Sequence, residues 1–255
     1  MKLVSFIIPV FNESRRIEHL FFELNKFMQM EHLFNKEVII VNDGSTDNTY
    51  EQILDLSNKY SFQIKLINYK KNLGKGHAVK KGIEVSSGDI VGFLDADLAT
   101  PLSEFELIFK YFNQANVYVI GSRVKSISHK SDYSILRKIA SRVFHHIAIS
   151  VLEYKVEDTQ AGFKFFSSNL KEKLLQKLSQ NGFAFDIEMT LIAQKSKFDI
   201  ITHSITNWNN GAHSKVSILK DSYKMLVSVY KIFLKKKNKE YDIKHIEKNS
   251  FDHAA

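Results

Sequence analysis

Short apolar runs alternate with amphipathic segments through the first 125 residues. Residues 4–10, 37–42, 62–69, 89–94 and 117–121 are continuous apolar stretches of strand length. Between them, residues 17–30, 75–86 and 102–114 carry helical periodicity, and a turn at 43–47 feeds a helix to about residue 58. Strand–helix alternation of this kind builds parallel β-α-β units, and strands without polar alternation are those covered on both faces. The reading predicts an α/β fold with a mostly parallel sheet flanked by helices.

The remainder is less regular. Residues 134–152 carry a broad apolar stripe at helical spacing. Residues 163–166 and 200–208 read as strands, and 170–178, 186–195 and 221–234 as helices. Neither an internal repeat nor a linker interrupts the chain, so residues 1–234 are expected to share one body, with halves 1–125 and 126–234. Residues 235–255 read as a basic tail. From residue 215 onward ten lysines face five acids, which supplies five of the eight net positive charges. Such a terminus attracts anionic surfaces or keeps the chain soluble.

Composition removes several classes. With 44% hydrophobic and 25% charged residues the chain is ordinary globular protein. It contains no cysteine, which excludes a disulfide scaffold, a zinc ribbon and thiol catalysis. No secretory signal is read at residues 3–11, and no apolar run reaches the roughly 18 residues of a membrane span. A Gly-x-Gly-x-x-Gly after the first strand is missing, and Gly74-Lys75-Gly76 lacks the spacing and ending of a Walker loop. The paired histidines His145 and His146 are adjacent and cannot face one site from a helix.

Chemistry concentrates where the predicted strands end. Pro9 closes the first strand in Ile7-Ile8-Pro9-Val10-Phe11-Asn12-Glu13 and leaves Glu13 at its carboxyl end, where open α/β sheets bind ligands. Asp43 holds the same position on the second strand, and a carboxylate there can accept a hydrogen bond from a base N–H. Ser45 or Thr46 is expected to cap the next helix, with Asp47 at its positive end. After the fourth strand come Asp95-Ala96-Asp97-Leu98-Ala99-Thr100-Pro101. Two acids two apart, directly after a buried strand, carry a desolvation cost unless they face a cation, and magnesium or manganese on a diphosphate is the natural one.

Taken in order, these segments with Asn72-Leu73-Gly74-Lys75-Gly76 resemble the inverting family-2 glycosyltransferases of GT-A fold. Farther on, Gly121-Ser122-Arg123, Arg137, Ser141 and Asp158-Thr159-Gln160-Ala161-Gly162-Phe163-Lys164 resemble the polyprenyl-phosphate hexosyltransferases, the dolichyl-phosphate mannose and glucose synthases. Asp97-Leu98-Ala99-Thr100-Pro101, and Trp208 followed by His213-Ser214-Lys215-Val216, are closer to the glucosyl branch.

The resemblance implies a division of labour. Pro9, Phe11, Glu13 and Asp43 line the nucleotide base and ribose, Lys75 lies near the donor, and residues 1–125 form a nucleotide-sugar half. Asp95 faces donor and metal, and Asp97 is the main carboxylate for Mg2+ or Mn2+. In an irregular acceptor half, Arg123, Arg137 and Ser141 hold the acceptor phosphate, with Asp158 beside the reaction centre. Catalysis would thus rest on Asp158, Arg123 and Arg137. Mannosyl enzymes of the group often carry a metal-ligating glutamine where this chain has Ala99, which weighs against GDP-mannose.

The expectation is a metal-dependent transferase. It moves a hexose, with UDP-glucose favoured, to a polyprenyl or dolichyl phosphate, and inverts the anomeric carbon. It would be cytoplasmic, held peripherally on the cytoplasmic face of a membrane by the 134–152 stripe and the tail, with no nucleic-acid partner. GDP-mannose as donor, a non-lipid acceptor, and a non-enzymatic nucleotide-sugar-binding module are the alternatives.

Overall fold

A computed structural model of the chain describes residues 1–123, 161–208 and 218–242. The elements run β1 (Lys2–Val10), α1 (Ile17–Gln29), β2 (Phe34–Asn42), α2 (Thr49–Lys59), β3 (Ile64–Asn68), α3 (Lys75–Val85), β4 (Ile90–Leu94), α4 (Glu104–Phe109) and β5 (Val117–Ser122). After residue 160 come β6 (Phe163–Ser167), α5 (Lys171–Lys177), α6 (Phe185–Lys195), β7 (Asp199–Ser204) and α7 (Ile218–Lys237). The predicted stripe at 134–152, with Arg137, Ser141 and Asp158, lies outside the described residues.

The strands form one seven-stranded sheet in the order β3-β2-β1-β4-β6-β5-β7. Pairings β1–β2, β1–β4, β2–β3 and β5–β7 are parallel, as the alternation predicts. β6 is the exception: it inserts between β4 and β5 and runs antiparallel to both. Strands from before and after residue 125 therefore interleave in one sheet.

Alternate residues of each strand feed opposite cores. Ile7, Ile39, Val41, Val91 and Phe93 face α3, α5, α6 and α7, while Phe6, Ile8, Val38, Ile40 and Phe165 face α1 and α4. Both faces are covered, so the strands can be apolar throughout. Phe6 packs edge-on against Phe27, Phe105 and Phe165, at centroid distances of 5.1–5.5 Å, the geometry aromatic quadrupoles favour.

Three expectations are corrected. Pro9 does not stop β1: pairing with β4 ends at Ile7, whereas pairing with β2 continues through Val10, because a missing N–H costs a bond on one side only. The helix expected over 102–114 is α4 followed by a 3-10 turn, Lys110–Asn113. Helix α7 runs to Lys237, three residues into the segment read as a tail, and the chain then folds back. Tyr241 is buried and donates to Glu188 Oε1 at 2.7 Å, while Lys177 donates to the carbonyls of Glu240 and Asp242. Apolar burial plus a satisfied hydroxyl anchors this turn.

Candidate active site

The carboxyl ends of β1, β2 and β4 meet the start of α3. Asp43 follows β2 and is buried, and its two carboxylate oxygens accept the N–H groups of Leu73 (2.9 Å) and Gly74 (2.8 Å). Asn72 Nδ2 donates to the Asp43 carbonyl at 3.2 Å. On its other flank the 72–76 loop meets Asn181, whose carbonyl accepts from Gly76 N at 2.7 Å. Gly74 has φ +106°, and a Cβ there would overlap the Asn181 carbonyl. Only glycine takes that backbone without strain. Asp43 is thus a clamp on the loop that carries Lys75. Burial holds its carboxyl above the ordinary value, and the two backbone donors oppose that shift.

The clamp delivers Lys75 to Asp95: Nζ and Oδ1 are 2.6 Å apart. Nζ also lies 5.5 Å from the Phe93 ring centroid and 5.9 Å from that of Phe185. The Asp95 side chain is 40% exposed, so the pair opens to one side. Burial alone would raise the Asp95 carboxyl, but Lys75, then Lys164 and Arg123, hold it below its usual range. Asp97 differs. Burial and then the Asp95 charge push its carboxyl up, against weaker opposition from the Ala99 N–H, Arg16 and Lys75. An anion held in this state gains from an added cation.

The turn holding both acids is strained. Leu98 N bonds the Asp95 carbonyl at 3.0 Å, and Leu98 has φ +48°. Asn12, next to Glu13, has φ +55°. Left-handed non-glycine residues cost on the order of 1 kcal/mol and gather at ligand sites. Asn12 is held by its neighbours: its N–H donates to Ser45 Oγ at 2.8 Å and its Oδ1 accepts from Thr46 N at 2.7 Å. Ser45 and Thr46 therefore lace the first two strand ends together and do not cap α2. Asp47 Oδ1 accepts from the Thr49 N–H at 3.1 Å, at the first residue of α2. Glu13 pairs with Arg16 at 3.1 Å, Pro9 is partly buried and Phe11 is exposed.

On the other side of Asp95 lies the 161–164 segment. Asp95 N donates to the Gly162 carbonyl at 3.1 Å, and a Cβ on Gly162 would overlap the Asp95 carboxylate. Arg123, the residue after β5, lies over Trp208 with its guanidinium carbon 5.8 Å from the ring centroid. Glu104 supports that edge: its buried carboxylate accepts from Thr206 N (3.0 Å), Asn207 N (3.1 Å) and the Thr206 hydroxyl, and faces His203 Nε2 at 3.2 Å.

The structure thus gathers Lys75, Asp95, Asp97 and Arg123 at the ends of β4 and β5, with Asp43 and Glu13 across the loop. Among the described residues no three metal-ligating side chains cluster. Asp95 and Asp97 could supply two oxygens, and a hard cation on a diphosphate would draw the others from phosphate and water. Sequence reasoning quoted Lys164 as the end of the Asp158–Lys164 motif but gave it no role, although a lysine within an apolar run that both cores cover was a signal, and it passed over Asp186, which bonds it.

Comparison with known proteins agrees with this geometry. The model of glycosyl transferase family 2 matches residues 5–175. A dolichyl-phosphate beta-glucosyltransferase of Trichomonas vaginalis is 33% identical over 84% of this chain and 66% of its own. Those of Homo sapiens and Saccharomyces cerevisiae are 31% and 28% identical over 84% and 87% of this chain, which spans 70% and 71% of theirs. Among solved structures, Mycobacterium tuberculosis glucosyl-3-phosphoglycerate synthase in complex with Mg2+ and uridine diphosphate superposes with a TM-score of 0.62. It is 17% identical, covering 91% of this chain and 79% of the other. The mixed sheet flanked by helices is the GT-A fold. With a family match across most of the segment that builds this sheet and its acidic turn, the chain belongs to glycosyl transferase family 2.

Proposed function

We propose that the chain transfers glucose from UDP-glucose to a polyprenyl phosphate of the dolichyl type, inverting the anomeric carbon. The observation that carries this reading is the meeting of Lys75, Asp95, Asp97 and Arg123 in a chain 33% and 31% identical, over 84% of its length, to dolichyl-phosphate beta-glucosyltransferases of Trichomonas vaginalis and Homo sapiens.

The residue types suit the chemistry. The acceptor is a phosphate monoester, anionic near neutral pH, and needs little help from a general base. The site has to hold two anions side by side. Arg123, braced on Trp208, offers a planar, permanently charged fork to the acceptor phosphate, with Arg137 and Ser141 assigned beside it. Lys75 offers a cation on the donor side, and Asp43 with Glu13, Pro9 and Phe11 forms the wall for base and ribose. Asp97, with Asp95, would hold Mg2+ or Mn2+, which when bound neutralises the departing nucleotide diphosphate. Asp158 is assigned to positioning the acceptor.

A lipid acceptor requires access to a membrane surface. No helix of the described residues is long and apolar enough to cross a membrane. Helix α7 exposes Leu226, Val227, Tyr230, Phe233 and Leu234, at helical spacing, with Lys235, Lys236 and Lys237 at its end. An apolar stripe edged by lysines suits peripheral docking on an anionic leaflet. The reading places this enzyme on the cytoplasmic face.

The test is a panel of labelled nucleotide sugars supplied with dolichyl phosphate. Label entering the organic phase from UDP-glucose supports the assignment. Label entering it from GDP-mannose instead would move the chain to the mannosyl branch.

A further inference from the structure

Beneath the donor carboxylate lies a second ion pair. Lys164 is fully buried in β6, opposite Phe93 of β4, and its Nζ donates to Asp186 Oδ1 at 2.7 Å and to the Ala161 carbonyl at 2.8 Å. Its strand neighbours Phe163 and Phe165 pack into the opposite core. An apolar side chain would fill the Lys164 position without the desolvation that a buried ammonium costs, and a buried ion pair is seldom more stable than an apolar pair of like volume. Stability therefore does not call for charges here.

Their location does. Lys164 Nζ lies 5.4 Å from the Phe93 ring centroid and Lys75 Nζ 5.5 Å from the same centroid. Asp95 is stabilised as an anion first by Lys75 and next by Lys164. Burial raises the Asp186 carboxyl above its ordinary value, against the opposing charges of Lys164 and then of Lys75. Two lysines and two aspartates thus form one electrostatic unit around one ring, in which each lysine has one bonded and one more distant anion. The unit is tied to the acidic turn through the backbone as well, since the Ala161 carbonyl taken by Lys164 adjoins Gly162, whose own carbonyl accepts Asp95 N–H.

We infer that Lys164 and Asp186 are positioning residues for the donor site: by satisfying each other they leave Lys75 committed to Asp95. Removing only Lys164 leaves Asp186 buried without its bonded partner, and Lys75 is the next cation, among the described residues, that acts on it. Lys75 then turns from Asp95, and the donor side loses its cation. Removing only Asp186 leaves Lys164 to compete with Lys75 for Asp95. Removing both restores the Lys75–Asp95 pair. This inference rests on reading Asp95 and Lys75 as donor residues.

The test is UDP titration by calorimetry, with and without Mn2+, on full-length wild type, Lys164→Met, Asp186→Asn and the double variant Lys164→Met/Asp186→Leu. Circular dichroism and melting checks folding. Each single variant should weaken UDP binding on the order of tenfold, and the double variant should return to within about threefold of wild type. A pair that serves only the fold would lower melting temperatures while the folded protein bound UDP as wild type does. That result overturns the inference, as does a double variant no better than the singles. Should Lys164→Met fail to fold, Asp186→Asn and the double variant decide the question alone. A wild type that binds no UDP overturns the donor reading itself, and the inference with it.

Discussion

Lys75 and Asp95 meet at 2.6 Å across the mouth of the sheet, one held by the loop that Asp43 clamps and the other by the carbonyl of Gly162. Lys75 opens α3 and Asp95 follows β4, so their contact reports whether both loops are in place. Lys75→Met should leave the fold intact, because methionine keeps an unbranched stem against Phe93 and Phe185 and the Asp95 carboxylate it leaves is partly exposed. It should weaken UDP binding about tenfold through loss of a charge-assisted contact. Fluorescence or calorimetric titration checks this, and unchanged UDP affinity would remove Lys75 from the donor site.

Asp97 carries a prediction with a pH sign. Burial and the Asp95 charge raise its folded-state pKa above the ordinary 3.8. The folded chain therefore holds this proton to higher pH than the unfolded chain does, and stability falls as pH rises from about 3.8 through the folded value. Asp97→Asn removes that dependence. It should melt at or above the wild-type temperature at pH 7, match wild type near pH 3, and lose transfer together with any gain in UDP affinity from Mg2+ or Mn2+. Full transfer by Asp97→Asn without divalent ion would end the metal assignment.

Much of this site is legible in the sequence, because strand ends and the residues just after them are local features. The acidic turn after β4, Asp43 after β2 and Glu13 after β1 all follow from apolar runs and where they stop. Strand order is another matter. Nothing in the periodicity of 163–166 tells an antiparallel insertion between β4 and β5 from another parallel strand, since both are covered on both faces. Short hydroxyl side chains are equally ambiguous. Ser45 and Thr46 have the chemistry of helix caps, yet they bond Asn12, thirty-odd residues away in the chain. Tyr241 sits among charged residues and gives no local sign that its ring is buried against α6.

Glu104 should prove a support for the acceptor edge. Glu104→Ala strands the N–H groups of Thr206 and Asn207 and the Thr206 hydroxyl beside a new cavity. A loss of about 2–4 kcal/mol is expected, visible in urea denaturation. Loosening the segment that carries Trp208 should also raise the KM for lipid phosphate more than that for UDP-glucose. Equal effects on both substrates would separate Glu104 from the acceptor side.

The α7 stripe can be tested without disturbing the core, since Tyr230 and Phe233 are exposed. Tyr230→Asp with Phe233→Asp should leave melting unchanged and reduce cosedimentation with anionic liposomes severalfold at high salt. Neutralising Lys235, Lys236 and Lys237 to Gln should reduce it only at low salt, where screening is weak. Truncation at residue 234 is the wrong control, because it would also remove buried Tyr241. Liposome binding that survives both sets of changes would move the docking surface elsewhere.

Acceptor choice tests the account most directly. Wild type would be given UDP-glucose and Mg2+ with dolichyl phosphate, with dolichol lacking the phosphate, or with 3-phosphoglycerate, and UDP release and glucosylated product would be measured together. The account predicts one UDP released per glucosylated lipid with dolichyl phosphate, in the β configuration expected of inversion, and no product with dolichol or phosphoglycerate. Glucose transferred to phosphoglycerate, or to dolichol itself, would contradict it.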